Sequence, residues 1–275
     1  MKSSIVPARA SLQWLGLAYQ TYCRNPSAFL LLTLLYACCC LLANCIPFIG
    51  APLSLALEPF AVLMAMAAAA RVLAHRMPGP SPMDCAFSAV RTHLRAMLML
   101  GAVQAIAFLL ILALVSAIGD GSAIYRYLQA PLSLAKSSHD PWSMHAKNLL
   151  SVLLLLPFLA PALVYWHAAH PRQAILSSVL ACLRNWRALM LLALFETALL
   201  VAFALLGTLV LPSPASEFAT IVVVNVFMLL PTAVINIAWL FAFRDIFAPE
   251  TAQPAAAGVA RTATTPEQPL ESQRS

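Results

Sequence analysis

Two glutamates lie inside long apolar runs of this 275-residue sequence, where a charge needs an explanation. They are Glu58 and Glu196. A charged side chain at the centre of a bilayer costs about 3 kcal/mol even on insertion scales, so it is a functional candidate by default. No Lys or Arg within the runs is placed to pair with Glu196, so we expect it to be protonated or hydrogen-bonded. Glu196 then either forms a hydrogen bond that holds two helices together or binds a proton or a ligand.

Two further polar residues fall at the same depth as Glu196. Glu196 lies nine residues after the last basic residue before its apolar run. In a helix this offset corresponds to about 13 Å. The same offset from Arg95 gives Gln104, and from Ser27 it gives Tyr36. We therefore predict that Tyr36, Gln104 and Glu196 face one interior.

Glu58 and Asn236 complete the candidate site. Glu58 precedes Pro59, and a proline leaves the carbonyl of Leu55 without its helical donor. A protonated Glu58 can donate there or to a neighbouring helix, and Asn236 is expected to form a helix–helix hydrogen bond. The candidate intramembrane polar site thus comprises Tyr36, Glu58, Gln104, Glu196 and Asn236.

No motif typical of catalysis or metal binding accompanies these residues. Intramembrane catalysis would need a paired nucleophile and base, which the sequence does not offer. His167 and His170 share a helix face, but no further ligand lies near them in the sequence. The seven cysteines are odd in number and form no C-x-x-C pair, which argues against a disulfide framework. We expect no catalytic residue, no metal and no cofactor.

The composition is that of a membrane protein. Hydrophobic residues make up 62% of the chain and charged residues 9%. Soluble domains average about 45–50% apolar and about 25% charged residues, so a soluble globule, a disordered chain and a nucleic-acid-binding domain are excluded. Six apolar segments are each close to the roughly 20 residues that a spanning helix needs. They are predicted as helices at roughly 28–48, 52–74, 96–118, 148–169, 188–211 and 218–243.

The basic residues predict the orientation of these spans. Three of the 16 Lys and Arg residues, Arg126, Lys136 and Lys147, fall in the loop 119–147. The other thirteen fall on the opposite side, which the positive-inside rule makes cytoplasmic. We expect a bacterial inner-membrane protein with both termini cytoplasmic, a six-helix transmembrane domain at 1–246 and a disordered cytoplasmic tail at 247–275. The expected partners are membrane lipids and not nucleic acid, and the sequence names no protein partner.

Three amphipathic stretches, at 11–25, 81–95 and 171–187, each lead directly into a span. Their predicted apolar faces are Leu12, Leu15, Tyr19 and Tyr22; Met83, Phe87, Val90 and Leu94; and Ile175, Val179, Leu183 and Trp186. We interpret them as helices at the cytoplasmic interface. The unit of surface helix, span in and span back then occurs three times, as parallel hairpin repeats. Many transporters use inverted repeats instead, which lowers the expectation of transport.

The opening of the chain resembles a known group of proteins. The residues that carry the resemblance are Ile5-Val6-Pro7-Ala8-Arg9, Trp14, Asn25-Pro26, Ile46-Pro47-Phe48-Ile49-Gly50 and Pro59. They resemble an uncharacterised family of proteobacterial, mostly betaproteobacterial, multispanning inner-membrane proteins that begin I-V-P-A-R. Ser11-Leu12 stands where that family often has Gly-Trp. The resemblance implies a location and a fold, and brings no activity or site residue with it.

These observations favour a non-enzymatic scaffold or envelope accessory in the inner membrane. The alternative is a permease, or an amphiphile- or lipid-binding membrane protein, that uses the polar site near Glu196.

Overall fold

A computed structural model of the chain describes residues 3–46, 49–74, 79–118, 158–210 and 217–247. These ranges contain nine helices and no β-strand. The helices are α1 (Ala10–Arg24), α2 (Pro26–Asn44), α3 (Gly50–Leu73), α4 (Pro82–Thr92), α5 (Leu94–Ile118), α6 (Ala160–His167), α7 (Pro171–Arg184), α8 (Trp186–Val210) and α9 (Glu217–Phe247). Within the described ranges, α2, α3, α5, α8 and α9 are long and apolar enough to cross a membrane.

These five helices coincide with five of the six predicted spans, because uninterrupted apolar runs of this length have few alternatives to a helix. The predicted fourth span, 148–169, is described only from residue 158 onward, where it contains α6. The predicted loop 119–147 lies outside the described residues. So does the predicted tail, apart from Phe247, which belongs to α9.

The two central helices are α3 and α9. In their apolar windows 56% and 61% of the residues are buried, against 28% in α2, 28% in α5 and 18% in α8. Helix α3 packs against α2, α4, α5 and α9. The second half of α3 is rich in alanine. Ala65 and residues 67–69 are all buried. Small side chains of this kind let neighbouring helix backbones approach closely.

A glycine fixes the crossing of α3 and α5. A Cβ atom built on Gly101 of α5 would lie 2.9 Å from the carbonyl carbon of Ala56 in α3 and still closer to its carbonyl oxygen. Any side chain at this position would collide with the backbone of α3. Glycine therefore allows the two helix backbones to touch. This contact lies one turn before Gln104 on α5 and two residues before Glu58 on α3.

The predicted first hairpin is present. Helix α2 ends at Asn44 and α3 begins at Gly50, whose amide donates to the carbonyl of Ile46 at 3.0 Å. A Cβ atom on Gly50 would lie 2.8 Å from the Cα atom of Asn44, so the reversal is tight. Pro47 and Phe48, between the two helices, lie outside the described residues.

Three short helices each join a long helix through one residue. Asn25 separates α1 from α2, His93 separates α4 from α5, and Asn185 separates α7 from α8. Helix α4 begins with a capping box, in which the Ser81 hydroxyl accepts from the Asp84 amide at 3.1 Å, and Pro82 occupies the first helical position. This capping box and the early carboxylate stabilise the helix start.

The predicted apolar faces of the short helices contact the bundle only in part. The residues that face the bundle are small or polar, except for Trp14 and Tyr22. They are Ala10, Ser11, Trp14, Ala18, Thr21 and Tyr22 on α1, Ala86 and Ala89 on α4, and Ala174, Ser178, Ala181 and Cys182 on α7. Of the predicted faces, Tyr22 is buried and Leu15, Met83, Val90 and Ile175 pack partly against the core. The outward residues are Leu12, Tyr19, Phe87, Leu94, Leu183 and Trp186. Side-chain size explains the difference: small residues bring the helices onto the bundle, and the bulky apolar residues point outward.

The N-terminal segment ties helix ends together at one end of the bundle. We call residues 3–7 the terminal strap. The Ser4 amide donates to the carbonyl of Ile246 at 2.8 Å, and its hydroxyl donates to the carbonyl of Asp245 at 2.6 Å. The Val6 amide donates to Oδ1 of Asn185 at 2.7 Å, and Nδ2 of Asn185 donates back to the carbonyl of Ser4 at 3.0 Å. The strap therefore links the end of α9 to the junction of α7 and α8.

Helix α1 reaches the same helix end. Nε1 of Trp14 donates to Oδ2 of Asp245 at 2.6 Å, and Trp14 is almost fully buried. Residues 5–7 of the strap and Trp14 are among the residues that carry the resemblance noted above, and here they close one end of the bundle. Their hydrogen bonds span more than 170 residues of sequence.

Candidate intramembrane polar site

A hydrogen bond between two spanning helices forms the centre of the site. Nε2 of Gln104 on α5 donates to Oε2 of Glu58 on α3 at 2.5 Å. Gln104 is buried and Glu58 partly buried. The bond forms where Gly101 lets the two backbones touch. A hydrogen bond to a charged or chargeable group in an apolar surrounding is among the stronger ones in proteins.

Tyr36 and Glu196 approach the same carboxyl group. The phenol of Tyr36 on α2 lies close enough to Glu58 for the two groups to interact electrostatically, and so does the carboxyl of Glu196 on α8. Glu58 thus has a hydrogen bond with Gln104 and electrostatic interactions with Tyr36 and Glu196. Four helices, α2, α3, α5 and α8, contribute one polar side chain each.

Glu196 has no hydrogen-bond partner for one of its oxygens. Its Oε2 atom is buried, and no group among the described residues bonds to it. The sequence groups Glu196 with Gln104, Tyr36 and Asn236, which makes these three residues the candidate partners. Gln104 donates to Glu58 instead, because the crossing at Gly101 brings it against α3. Asn236, partly buried on α9, forms no hydrogen bond to the other four in the described part of the chain.

One contributor to the site escaped the sequence analysis. Cys40 lies four residues after Tyr36 on α2, and its thiol interacts electrostatically with the phenol of Tyr36. The spacing of four residues from Tyr36 to Cys40 places both on one helix face and was the available signal.

Among the described residues, the remaining histidines and cysteines form no metal site. Across the described ranges no three His, Cys, Asp or Glu side chains lie together in a way that could hold a metal ion. His167 packs its ring against Phe243 with a centroid distance of 5.8 Å. Burial raises the pKa of Cys182, on the short helix α7, to about 12, so it remains a thiol at physiological pH.

No Lys or Arg of the described ranges pairs with the polar cluster. In the described part of the chain neither Glu58 nor Glu196 forms an ion pair. Two carboxylates in an apolar surrounding disfavour each other's charge. Chemically, the arrangement can hold a proton or a cationic group between helices, or it can simply join the helices by hydrogen bonds.

Comparison with known proteins places the chain in the membrane. It is 27% identical over 246 residues to a protein of Burkholderia thailandensis named a probable inner membrane protein, covering 86% of this chain and 88% of the relative. No protein-family profile matches the chain, and no solved structure does. The protein is an integral inner-membrane protein. The relative supports the predicted proteobacterial membrane-protein family, while the I-V-P-A-R opening stays a prediction.

Proposed function

We propose that this protein is a non-enzymatic scaffold or accessory protein of the bacterial inner membrane. In this proposal it crosses the membrane six times, as three parallel hairpins, with both termini in the cytoplasm. Each hairpin follows a short helix at the cytoplasmic interface. The first hairpin is α2 with α3, the second is α5 with the span that ends in α6, and the third is α8 with α9.

The three helix junctions support the repeat. Asn25, His93 and Asn185 occupy the same place in the alignment of the three units, and each is the single residue between a short helix and a long one. The ring of His93 packs edge-on against Tyr165 of α6 at 5.6 Å, and Trp166 of α6 packs on Phe243 of α9 at 5.4 Å. These contacts bring the second junction next to the ends of α6 and α9, which supports the proposal of parallel hairpins.

The main support for a scaffold is that the buried polar side chains bond to other parts of the same bundle. Gln104 and Glu58 bond to each other across helices, Asn185 bonds to the terminal strap, and Trp14 bonds to Asp245. Polar residues that form hydrogen bonds between helices are typical of a structural bundle. A catalytic site would leave a nucleophile and a base free to act on a substrate.

A permease or amphiphile-binding protein is the second candidate. The observation that favours it is the buried, unpartnered Oε2 atom of Glu196 close to Glu58. In hydrocarbon such a pair is expensive unless a proton or a cation neutralises it. The ligand class that fits is therefore a proton or an amphiphile with a cationic headgroup.

Replacing Glu196 separates the two candidates. As a scaffold, Glu196→Gln and Glu196→Leu variants should both fold and restore a deletion strain, with a loss in stability of about 1 kcal/mol for leucine. The measurement is growth and the lipid and metabolite profile of the complemented strain, with the membrane level of each variant followed by immunoblot. Leu194→Ala, an outward-facing change on the same helix, is the matched control. A Glu196→Gln variant that reaches normal membrane levels but fails to restore the profile would contradict the scaffold assignment and support the second candidate.

A further inference from the structure

The outward face of α7 carries an uncovered row of leucines. Leu176, Leu180 and Leu183 are 62%, 52% and 58% exposed. Their spacing of four and three residues places them on one side of the helix. The opposite side is already packed against the bundle through Ala174, Ser178, Ala181 and Cys182. No described residue of this chain covers the leucine row.

The row continues directly onto a spanning helix. After the single residue Asn185, the exposed residues Trp186, Met190 and Leu194 follow at intervals of four on α8. Outward residues of a membrane-spanning helix contact lipid. Because α7 meets this helix at its first residue, the leucine row lies at the boundary between acyl chains and headgroups, where interfacial helices bury their apolar side.

Arginines stand at both ends of the same row. Arg172 precedes Leu176 by four residues and Arg187 follows Leu183 by four, and both are exposed. The guanidinium of Arg187 lies 5.5 Å from the ring centroid of Trp186, a cation–π distance. No Asp or Glu occurs between residues 171 and 195, whereas α4 carries Asp84 beside its arginines. This surface is therefore purely cationic around an apolar centre.

We propose that the outward face of α7 and the first turn of α8 form a binding surface for anionic phospholipids. The leucines contact the acyl chains, and Arg172 and Arg187 bind the phosphate and headgroup. Charge complementarity identifies the lipid as anionic, since basic residues beside a spanning helix attract anionic headgroups. Continuity with α8 places the surface in the bilayer instead of against a soluble protein.

Tryptophan quenching by brominated lipids tests this proposal. The full-length protein is reconstituted in phosphatidylcholine vesicles that contain either brominated phosphatidylglycerol or brominated phosphatidylcholine at equal mole fraction. The Trp186 signal is the difference between the wild type and Trp186→Phe. We expect phosphatidylglycerol to be enriched about fivefold around Trp186 per arginine that binds it. The enrichment should fall in about 1 M salt, where the Debye length is about 3 Å.

Two variants make the test specific. Arg172→Gln combined with Arg187→Gln should remove the preference for phosphatidylglycerol and leave quenching by brominated phosphatidylcholine in place. Arg24→Gln, at the end of α1, should leave the preference unchanged. Equal quenching by the two lipids in the wild type would overturn the proposal. The proposal would also be overturned if aqueous iodide quenched Trp186 and neither brominated lipid did. The leucine row would then face water or a soluble partner. The wild-type comparison and its salt dependence stand even if the double variant fails to fold.

Discussion

Replacing Gly101 with alanine should destabilise the protein by about 1–3 kcal/mol, the usual cost of overpacking a closely fitted contact. The new Cβ atom would lie 2.9 Å from the carbonyl carbon of Ala56, so α3 and α5 must move apart. Their separation also pulls Gln104 away from Glu58. The measurement is the free energy of unfolding in detergent micelles, together with thermal aggregation.

Gly16 on α1 provides the matched control, since a Cβ atom there meets nothing within 4 Å. Alanine favours a helix over glycine by about 1 kcal/mol, so Gly16→Ala should be neutral or stabilising. If Gly101→Ala were as stable as Gly16→Ala, the backbone contact between α3 and α5 would not exist as described.

Replacing Asn185 with alanine should cost about 2–4 kcal/mol, because several buried hydrogen bonds are lost together and their partners are left unsatisfied. Asn185 is 2% exposed. It accepts from the amide of Val6 and donates to the carbonyls of Ser4 and Ala181. Its loss should release the terminal strap. Hydrogen exchange at residues 4–9 and unfolding in detergent measure the two effects.

Asn25, the junction residue of the first unit, is the control for the loss of stability caused by Asn185→Ala. Asn25 accepts from the amide of Ala28 as the cap of α2, so Asn25→Ala should cost about 1 kcal/mol and leave the strap protected. Asn185→Asp should keep the bond from Val6 and lose both donated bonds, giving an intermediate effect. Equal losses for Asn25→Ala and Asn185→Ala, with unchanged exchange in the strap, would show that Asn185 does not hold it.

The spanning helices could be predicted because their signal is local. An apolar run of sufficient length indicates a helix whatever surrounds it, and α2, α3, α5, α8 and α9 lie within a few residues of the predicted spans. The orientation of the short helices could not be predicted in the same way. Hydrophobicity distinguishes apolar from polar faces, yet α1 and α7 present apolar residues on two sides. Side-chain size decides which of those sides meets the bundle, and Leu183 and Trp186 point outward for that reason.

The polar residues of the candidate site could be listed from the sequence, but their pairing could not. A common offset from Ser27, Arg95 and Arg187 grouped Tyr36, Gln104 and Glu196. In the structure Gln104 bonds to Glu58, and Tyr36 and Glu196 interact with Glu58 electrostatically. That Gln104 bonds to Glu58 and not to Glu196 depends on the backbone contact at Gly101, which is a property of two helices together. The terminal strap is equally non-local, since Val6 and Asn185 are 179 residues apart. No periodicity indicates such a bond.

The arrangement of three parallel hairpins with cytoplasmic termini is tested most directly by topology mapping. Dual reporter fusions, with alkaline phosphatase active outside the cytoplasm and green fluorescent protein active inside it, are placed in every connection. We predict periplasmic signals after Ile49, Gln129 and Ser213, and cytoplasmic signals after Arg76, Pro171 and Arg261. A cytoplasmic signal after Gln129, or a periplasmic one after Pro171, would contradict the six-span arrangement and the parallel repeat with it.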